Sequence, residues 1–267
     1  MEDVVVLQDS FRLMLRLVPC DVVVRVAPAE VRQSAEFEVA LATELATLGG
    51  AVAALDPRCK PEVYERDGFV MNFWTYYETR NRMSIPPDEY ADALELLHRR
   101  MRGLALEIPH FTERVAEALA IVDKPERSPD LAQSDRDLLR ATLRDLRRAV
   151  DDHDVDQQPL HGEPHPGNVL DTTLGLRFID LETCCRGPIE FDLAHAPDGV
   201  GNRYQNVDPT LLARCRTLAL AMVAAWRCDR TDDFPDGRRA ASDIMRALRT
   251  ETTPSSLDAV NRRLGTA

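Results

Sequence analysis

One stretch limits what this chain can fold into more than any other: His161 to Asn168, HGEPHPGN, with FIDLE following at Phe178 to Glu182. It sets three oxygen-bearing side chains at fixed intervals: Glu163, Asn168 five residues on, and Asp180 twelve after that. Pro164, Pro166 and Gly167 suit a rigid irregular loop better than a helix. Leu160, and Val169 with Leu170, read as short buried strand segments, and Leu176 to Ile179 as the return strand. Asn168 and Asp180 then flank a hairpin whose turn is Asp171 to Gly175. Two readings compete with a catalytic one. His161 and Glu163 can simply cap backbone groups, and for His161 alone that reading is favoured. His161, Glu163, His165, Asp180 and Glu182 are also possible transition-metal ligands, but their spacing fits no zinc-helix signature.

A carboxylate, four residues, an Asn and then an Asp on the next hairpin are the intervals of a kinase catalytic loop. Phosphoryl transfer is mostly positioning and charge neutralisation, which explains the side chains required. Glu163 accepts or orients the hydroxyl proton. Asn168 and Asp180 offer oxygens of the kind magnesium prefers.

Length, charge and cysteine usage narrow the class. The 267 residues suffice for one large domain or two lobes with proper cores. A formal net charge of −12, from 45 acidic and 33 basic residues, gives no field that favours nucleic acid or an anionic membrane. The six cysteines form no CxxC, so nothing calls for disulfides. The longest apolar run, Leu218 to Trp226, is too short to span a bilayer, and no basic-then-apolar leader opens the chain. The chain reads as cytoplasmic and soluble.

The first quarter reads as strands: Asp3 to Leu7, Phe11 to Val18 and Val22 to Val26. A helix from about Ser34, its N-cap, to Leu48 carries Phe37, Leu41, Leu45 and Leu48 on one face and ends at Gly49-Gly50. Phe69 to Trp74 is a further strand after a turn at Asp67-Gly68. This is the plan of a nucleotide-binding small lobe, with a cation on the third strand and a Glu on the helix to pair with it. Arg25 is the cation and Glu38 the partner, with Glu36 second. Asn72, Phe73 and Trp74 fall where an adenine would meet the chain.

Beyond Ile85-Pro86-Pro87 the pattern turns helical: Tyr90 to Leu104, Phe111 to Val122, and Ser134 to Val150 with a capping-box-like Ser134-x-x-Asp137 and arginines on a water-facing side. The acidic runs Asp151 to Asp156 and Asp229 to Asp236 read as solvated. Asp192 is expected to be buried and to accept backbone N–H groups from the catalytic loop, and His195 to pack. Helices over Pro209 to Cys228, Gly237 to Thr250 and Ser255 to Leu264 complete the chain.

HGEPHPGNVL, then FIDLE and GPIEFDLAH, resembles the aminoglycoside phosphotransferase and choline kinase group of small-molecule kinases, whose usual pattern is HGDxHxxN, IDxE or IDxG, and a DLA segment. VVVRVAP, EFEVALATEL and FVMNFW also look like that family's small lobe. The resemblance implies an α+β, bilobal protein-kinase-like fold. Residues 1–75 would form a nucleotide-binding lobe of antiparallel sheet plus helix, and residues 76–267 a mainly helical lobe with the catalytic loop and substrate site. It implies Mg2+, ATP or GTP as co-substrate, and a small-molecule hydroxyl as acceptor, an aminoglycoside-like or other amine-bearing compound being one class that the family name suggests. By position Glu163, His161 and Asn168 are catalytic, Asn168 and Asp180 hold metal, and Arg25, Glu38, Ser10, Asn72 and Trp74 meet the nucleotide.

Three departures open a second reading, an inactive nucleotide-binding module. Glu163 stands where the family usually has Asp, and a methylene moves the carboxylate by roughly 1.5 Å. Arg25 replaces a more usual Lys, which is not a conservative exchange. The first turn, LQDSFR, has no glycine to let backbone approach phosphates, so Ser10 is the candidate hydroxyl there.

Overall fold

The computed structural model describes residues 3–9, 12–80 and 82–250. Ser10 and the expected helix at Ser255 to Leu264 lie outside them. In chain order the elements are strands β1 (Asp3–Asp9), β2 (Leu13–Val18) and β3 (Val22–Pro28), helix α1 (Arg32–Leu48), strands β4 (Tyr64–Arg66) and β5 (Phe69–Thr75), and helices α2 (Pro87–Met101), α3 (Phe111–Asp123) and α4 (Gln133–Asp151). Strands β6 (Gln157–Leu160), β7 (Val169–Thr172), β8 (Gly175–Phe178) and β9 (Cys185–Pro188) follow, then helices α5 (Ile189–Leu193), α6 (Pro209–Arg227) and α7 (Gly237–Arg249). No helix among the described residues is long and apolar enough to cross a membrane.

The chain divides into two compact units. The first comprises the described residues up to Glu107 together with Gly167–Thr183, so it takes in residues on both sides of position 75. Its sheet has the order β1-β2-β3-β5-β4, antiparallel throughout. Val22, Val23 and Val24 are buried at its centre, as a β-branched run on an inner strand should be. Opposite β3, the register sets Arg25 against Asn72 and Val23 against Trp74. Period-two alternation therefore puts all four on one face.

On α1, Ala35, Glu38, Val39, Leu41, Ala42 and Leu45 are buried, one stripe at helical spacing. The helix starts at Arg32 rather than Ser34, and its N-cap is Val31, with no side-chain bond. Ser34 is instead a turn inside, where its hydroxyl donates to Glu182 at 2.7 Å. The far end stops as expected. Gly49 takes a left-handed φ of 71°, and the amide of Gly50 returns to the Leu45 carbonyl at 2.9 Å, closing the last turn.

The second unit holds Ile108–Pro166 and the described residues from Cys184 onward. Its core is helical: Phe111, Val115, Leu139, Leu143, Leu218 and Ile244 are all buried in one cluster. Two expectations for α4 are corrected. The Ser134-x-x-Asp137 box does not form, because the helix begins at Gln133 and Asp137 accepts from Gln133 at 2.9 Å and Arg140 at 2.7 Å. Nor do all its arginines face water. Arg136 is buried and donates to the Val122 carbonyl and to the hydroxyl and carbonyl of Ser128. The acidic loop at Asp229 differs likewise: Asp229 is buried, bonded by Thr231 and paired with Arg127.

Candidate active site

The HGEPHPGN stretch is divided between the units, its first six residues in the second and its last two in the first. In the first unit, β7 and β8 form the expected hairpin with Val169 opposite Phe178, and the Ile179 amide donates to the Asn168 carbonyl at 3.0 Å to close its open end. Asn168 and Asp180 thus sit at the same end of one ladder. Asp180 adopts a left-handed φ of 61°. That is an uncommon choice for a residue with a Cβ, of the kind that clusters at functional sites. The Asp180 and Asn168 side chains both carry oxygens, one charged and one neutral, so the donor set fits magnesium.

Arg25 reaches this end of the hairpin. Its Nη1 donates to Glu38 at 2.6 Å and its Nη2 to Asp180 at 2.5 Å. Burial works against the charge, but Glu38 and Asp180 outweigh it and hold the guanidinium above its ordinary pKa. Glu38 is the partner; Glu36, the second candidate, pairs with Arg32 on its own helix. A cavity of about 220 Å³ opens beside the pair, lined by Val23, Arg25, Trp74, Phe178 and Asp180 among others. Trp74 therefore lines a cavity that also exposes Arg25 and Asp180. Asn72 commits its side-chain oxygen to the Trp74 indole N–H, at 2.7 Å. Sequence reading missed Arg12, on the β1–β2 turn, which pairs with Glu182.

In the second unit, Asp192 is fully buried and accepts the amides of His161 at 2.9 Å and Gly162 at 2.7 Å, as expected. Gly162 has a φ of 91°, open to glycine at little cost. His161 is also buried, and its Nδ1 accepts the Glu163 amide at 3.3 Å, a loop-closing role. Glu163 itself pairs with Arg114 of α3, which the sequence reading did not single out. Burial pushes the Glu163 carboxyl up. Arg114 first, then His195, His165 and His161, overcome that and hold it below the usual carboxylate range. His195 is buried with Nε2 unpartnered, and burial pushes it down to about 4 against the pull of Glu163 and Asp192. Among the described residues no group of three or more His, Cys, Asp or Glu could hold a metal ion by itself.

The fold has close counterparts among solved structures. An amicoumacin kinase in complex with AMP-PNP, Ca2+ and Ami superposes with a TM-score of 0.73 at 11% identity, over 94% of this chain and 89% of that one. Choline kinase LicA from Streptococcus pneumoniae gives 0.62 at 17% identity, over 93% of each. These likenesses define the protein as one with a protein-kinase-like fold, an antiparallel sheet at the N-terminal end and a helical remainder. The model of the phosphotransferase enzyme family, APH, matches residues 8–248, and the chain belongs to that family. Among curated relatives, the thiamine kinase of Escherichia coli O157:H7 is 30% identical over 142 residues, 52% of this chain and 47% of the relative's length. The chain thus matches about half the length of that relative.

Proposed function

We propose that this protein is a small-molecule kinase that moves the terminal phosphate of ATP or GTP to a hydroxyl group, with an amine-bearing compound as the acceptor. The observation that carries the reading is Arg25: one strand cation held by a buried helix Glu and touching the Asp of the hairpin. That is the charge arrangement a nucleotide lobe requires. Kinase names among the relatives, and the AMP-PNP in one structural neighbour, support it. A division of labour between a nucleotide lobe, residues 1–75, and a helical lobe, residues 76–267, belongs to the same reading.

In this reading Arg25 contacts the phosphates, Trp74 packs on the base, and Asn168 and Asp180 hold magnesium. Magnesium when bound supplies charge neutralisation to the phosphate oxygens. The acceptor oxygen forms its bond to the terminal phosphorus as the bond to the β,γ-bridging oxygen breaks, and Glu163 takes the hydroxyl proton. Asp192 fixes the loop that carries Glu163 by holding two of its amides. The test is nucleotide turnover with a panel of amine- and hydroxyl-bearing compounds. Turnover indifferent to both Glu163→Ala and Asp180→Ala removes the reading.

A second reading, a nucleotide-holding module without transfer, is favoured by one observation: Arg25 on Asp180 and Arg114 on Glu163 already engage both candidate carboxylates. It predicts magnesium-dependent thermal stabilisation by nucleotide with no phosphorylated product.

A further inference from the structure

Glu163 is the residue by which this chain departs most from its family's motif, and the structure supplies it with a partner from outside the motif. Arg114 projects from the first turn of α3, on the same side as the buried Phe111, Val115 and Ala118. Its side chain is 14% exposed and that of Glu163 16%, so the pair is largely withdrawn from solvent. The guanidinium carbon sits 5.3 Å from the centre of the Trp226 ring. That cation–π contact fixes the far side of the fork. Arg114 Nε is buried and has no hydrogen-bond partner. An unpaired buried donor is costly, and the anion on Nη2 is a contact that offsets that cost.

We propose that Arg114 is the positioning residue for Glu163: it draws the longer carboxylate to one fixed place and keeps it ionised for the acceptor hydroxyl. The proposal rests on the phosphotransfer reading for its purpose, but not for its geometry. A shorter Asp at position 163 would fall about 1.5 Å short of the same contact, one C–C bond. In this chain Glu163 and Arg114, 49 residues apart, are then a matched pair.

The charges around Glu163 define what removal of Arg114 does. Besides Arg114 from α3, the groups acting on it include His195 beyond α5, and His161 and His165 from its own loop, with Cys185 of β9 and Asp192 of α5 sharing its surroundings. Cys185 of β9 and Glu117 of α3 act on Arg114 from its other sides. Without Arg114, burial becomes the leading influence on Glu163, and the carboxyl protonates at higher pH. Activity that needs the carboxylate is then lost at a higher pH as the solution is acidified. Relative to wild type, Arg114→Met should lose progressively more kcat/KM as pH falls through the raised Glu163 midpoint, approaching about tenfold for each unit of rise once pH lies below both midpoints, and little at about pH 8.5. Arg114→Lys, which keeps the charge, should leave the acid limb in place and lower kcat. Glu163→Asp should lower kcat in the wild-type background and make no further difference in Arg114→Met. A merely structural arginine would scale all pH values alike.

The deciding measurement does not need turnover. The 13Cδ signal of Glu163, identified by its absence in Glu163→Gln, is titrated in the wild type and in Arg114→Met. A wild-type midpoint below the ordinary Glu value of about 4.3, rising by about one unit or more in the variant, supports the assignment. A wild-type midpoint at or above the ordinary value overturns it, whether or not Arg114→Met folds. If no substrate turns over while the low midpoint is seen, the kinase reading goes and the Arg114 assignment stays. If turnover is seen with a midpoint unmoved by Arg114→Met, the assignment goes and the kinase reading stays.

Discussion

Replacing Asp192 tests how the loop that carries Glu163 is held. The carboxylate is fully buried and accepts two amides, His161 at 2.9 Å and Gly162 at 2.7 Å. Asp192→Ala takes the acceptor away from both N–H groups at once. An orphaned buried amide costs about 1–3 kcal/mol, so two give roughly 2–6 kcal/mol, with about 3 kcal/mol expected if water reaches one of them. Asp192→Asn keeps a single carbonyl acceptor and should cost about half as much. The assay is urea unfolding of a Trp74→Phe background, in which Trp226 is the remaining tryptophan and reports on the second unit. Turnover should fall with stability, since misplacing a reacting group by about 1 Å can cost on the order of a hundredfold. An Asp192→Ala protein within about 0.5 kcal/mol of its parent, a change typical of an ordinary surface site, would refute the argument that these amides depend on it.

Acid should weaken the second unit through His195. Its folded-state pKa is pushed down to about 4 from an ordinary 6.5, so the unfolded chain binds the proton first. Stability is full above pH 6.5 and declines as pH falls toward 4, by about 3 kcal/mol if the whole shift is expressed. His195→Gln should flatten that window in denaturant titrations. Arg136→Met should destabilise by about 3 kcal/mol, because two carbonyls and a hydroxyl lose a buried charged donor; differential scanning calorimetry checks it. A Cβ added at Gly187 would meet Phe111 at 3.1 Å and Leu160 at 3.3 Å. Gly187→Ala should therefore cost about 1–3 kcal/mol by overpacking, which the thermal midpoint reads directly.

What the sequence disclosed follows from the range of the forces involved. The β7–β8 hairpin and the glycine stop of α1 are set by neighbours along the chain, and they were legible; of the expected α1 stripe Leu41 and Leu45 are buried, whereas Phe37 and Leu48 are only half-buried. The pairing of Arg25 with Glu38 was also legible, because strand followed by helix leaves few partners for a cation on an inner strand. Arg114 and Arg136 were not read as buried, since arginine on a helix is ordinarily a solvated residue. A signal existed in both cases. Arg114 lies three residues after Phe111 and four before Ala118, and Arg136 three before Leu139, so both interrupt apolar stripes rather than polar faces. Ser34 shows the opposite error: a good capping residue beside a helix start went to a distant carboxylate, Glu182, because tertiary hydrogen bonding prevailed over a local one.

Arg25 has a consequence that a lysine there would not have. A lone ammonium meets two anions through one nitrogen, whereas the fork answers Glu38 and Asp180 through separate nitrogens and satisfies both. The Asp180 Oδ1 that accepts from Arg25 is therefore already engaged within the protein. Under the proposed reading, Asp180 would hold magnesium with that oxygen only after Arg25 had turned toward the phosphates, so one side chain would link the two sites.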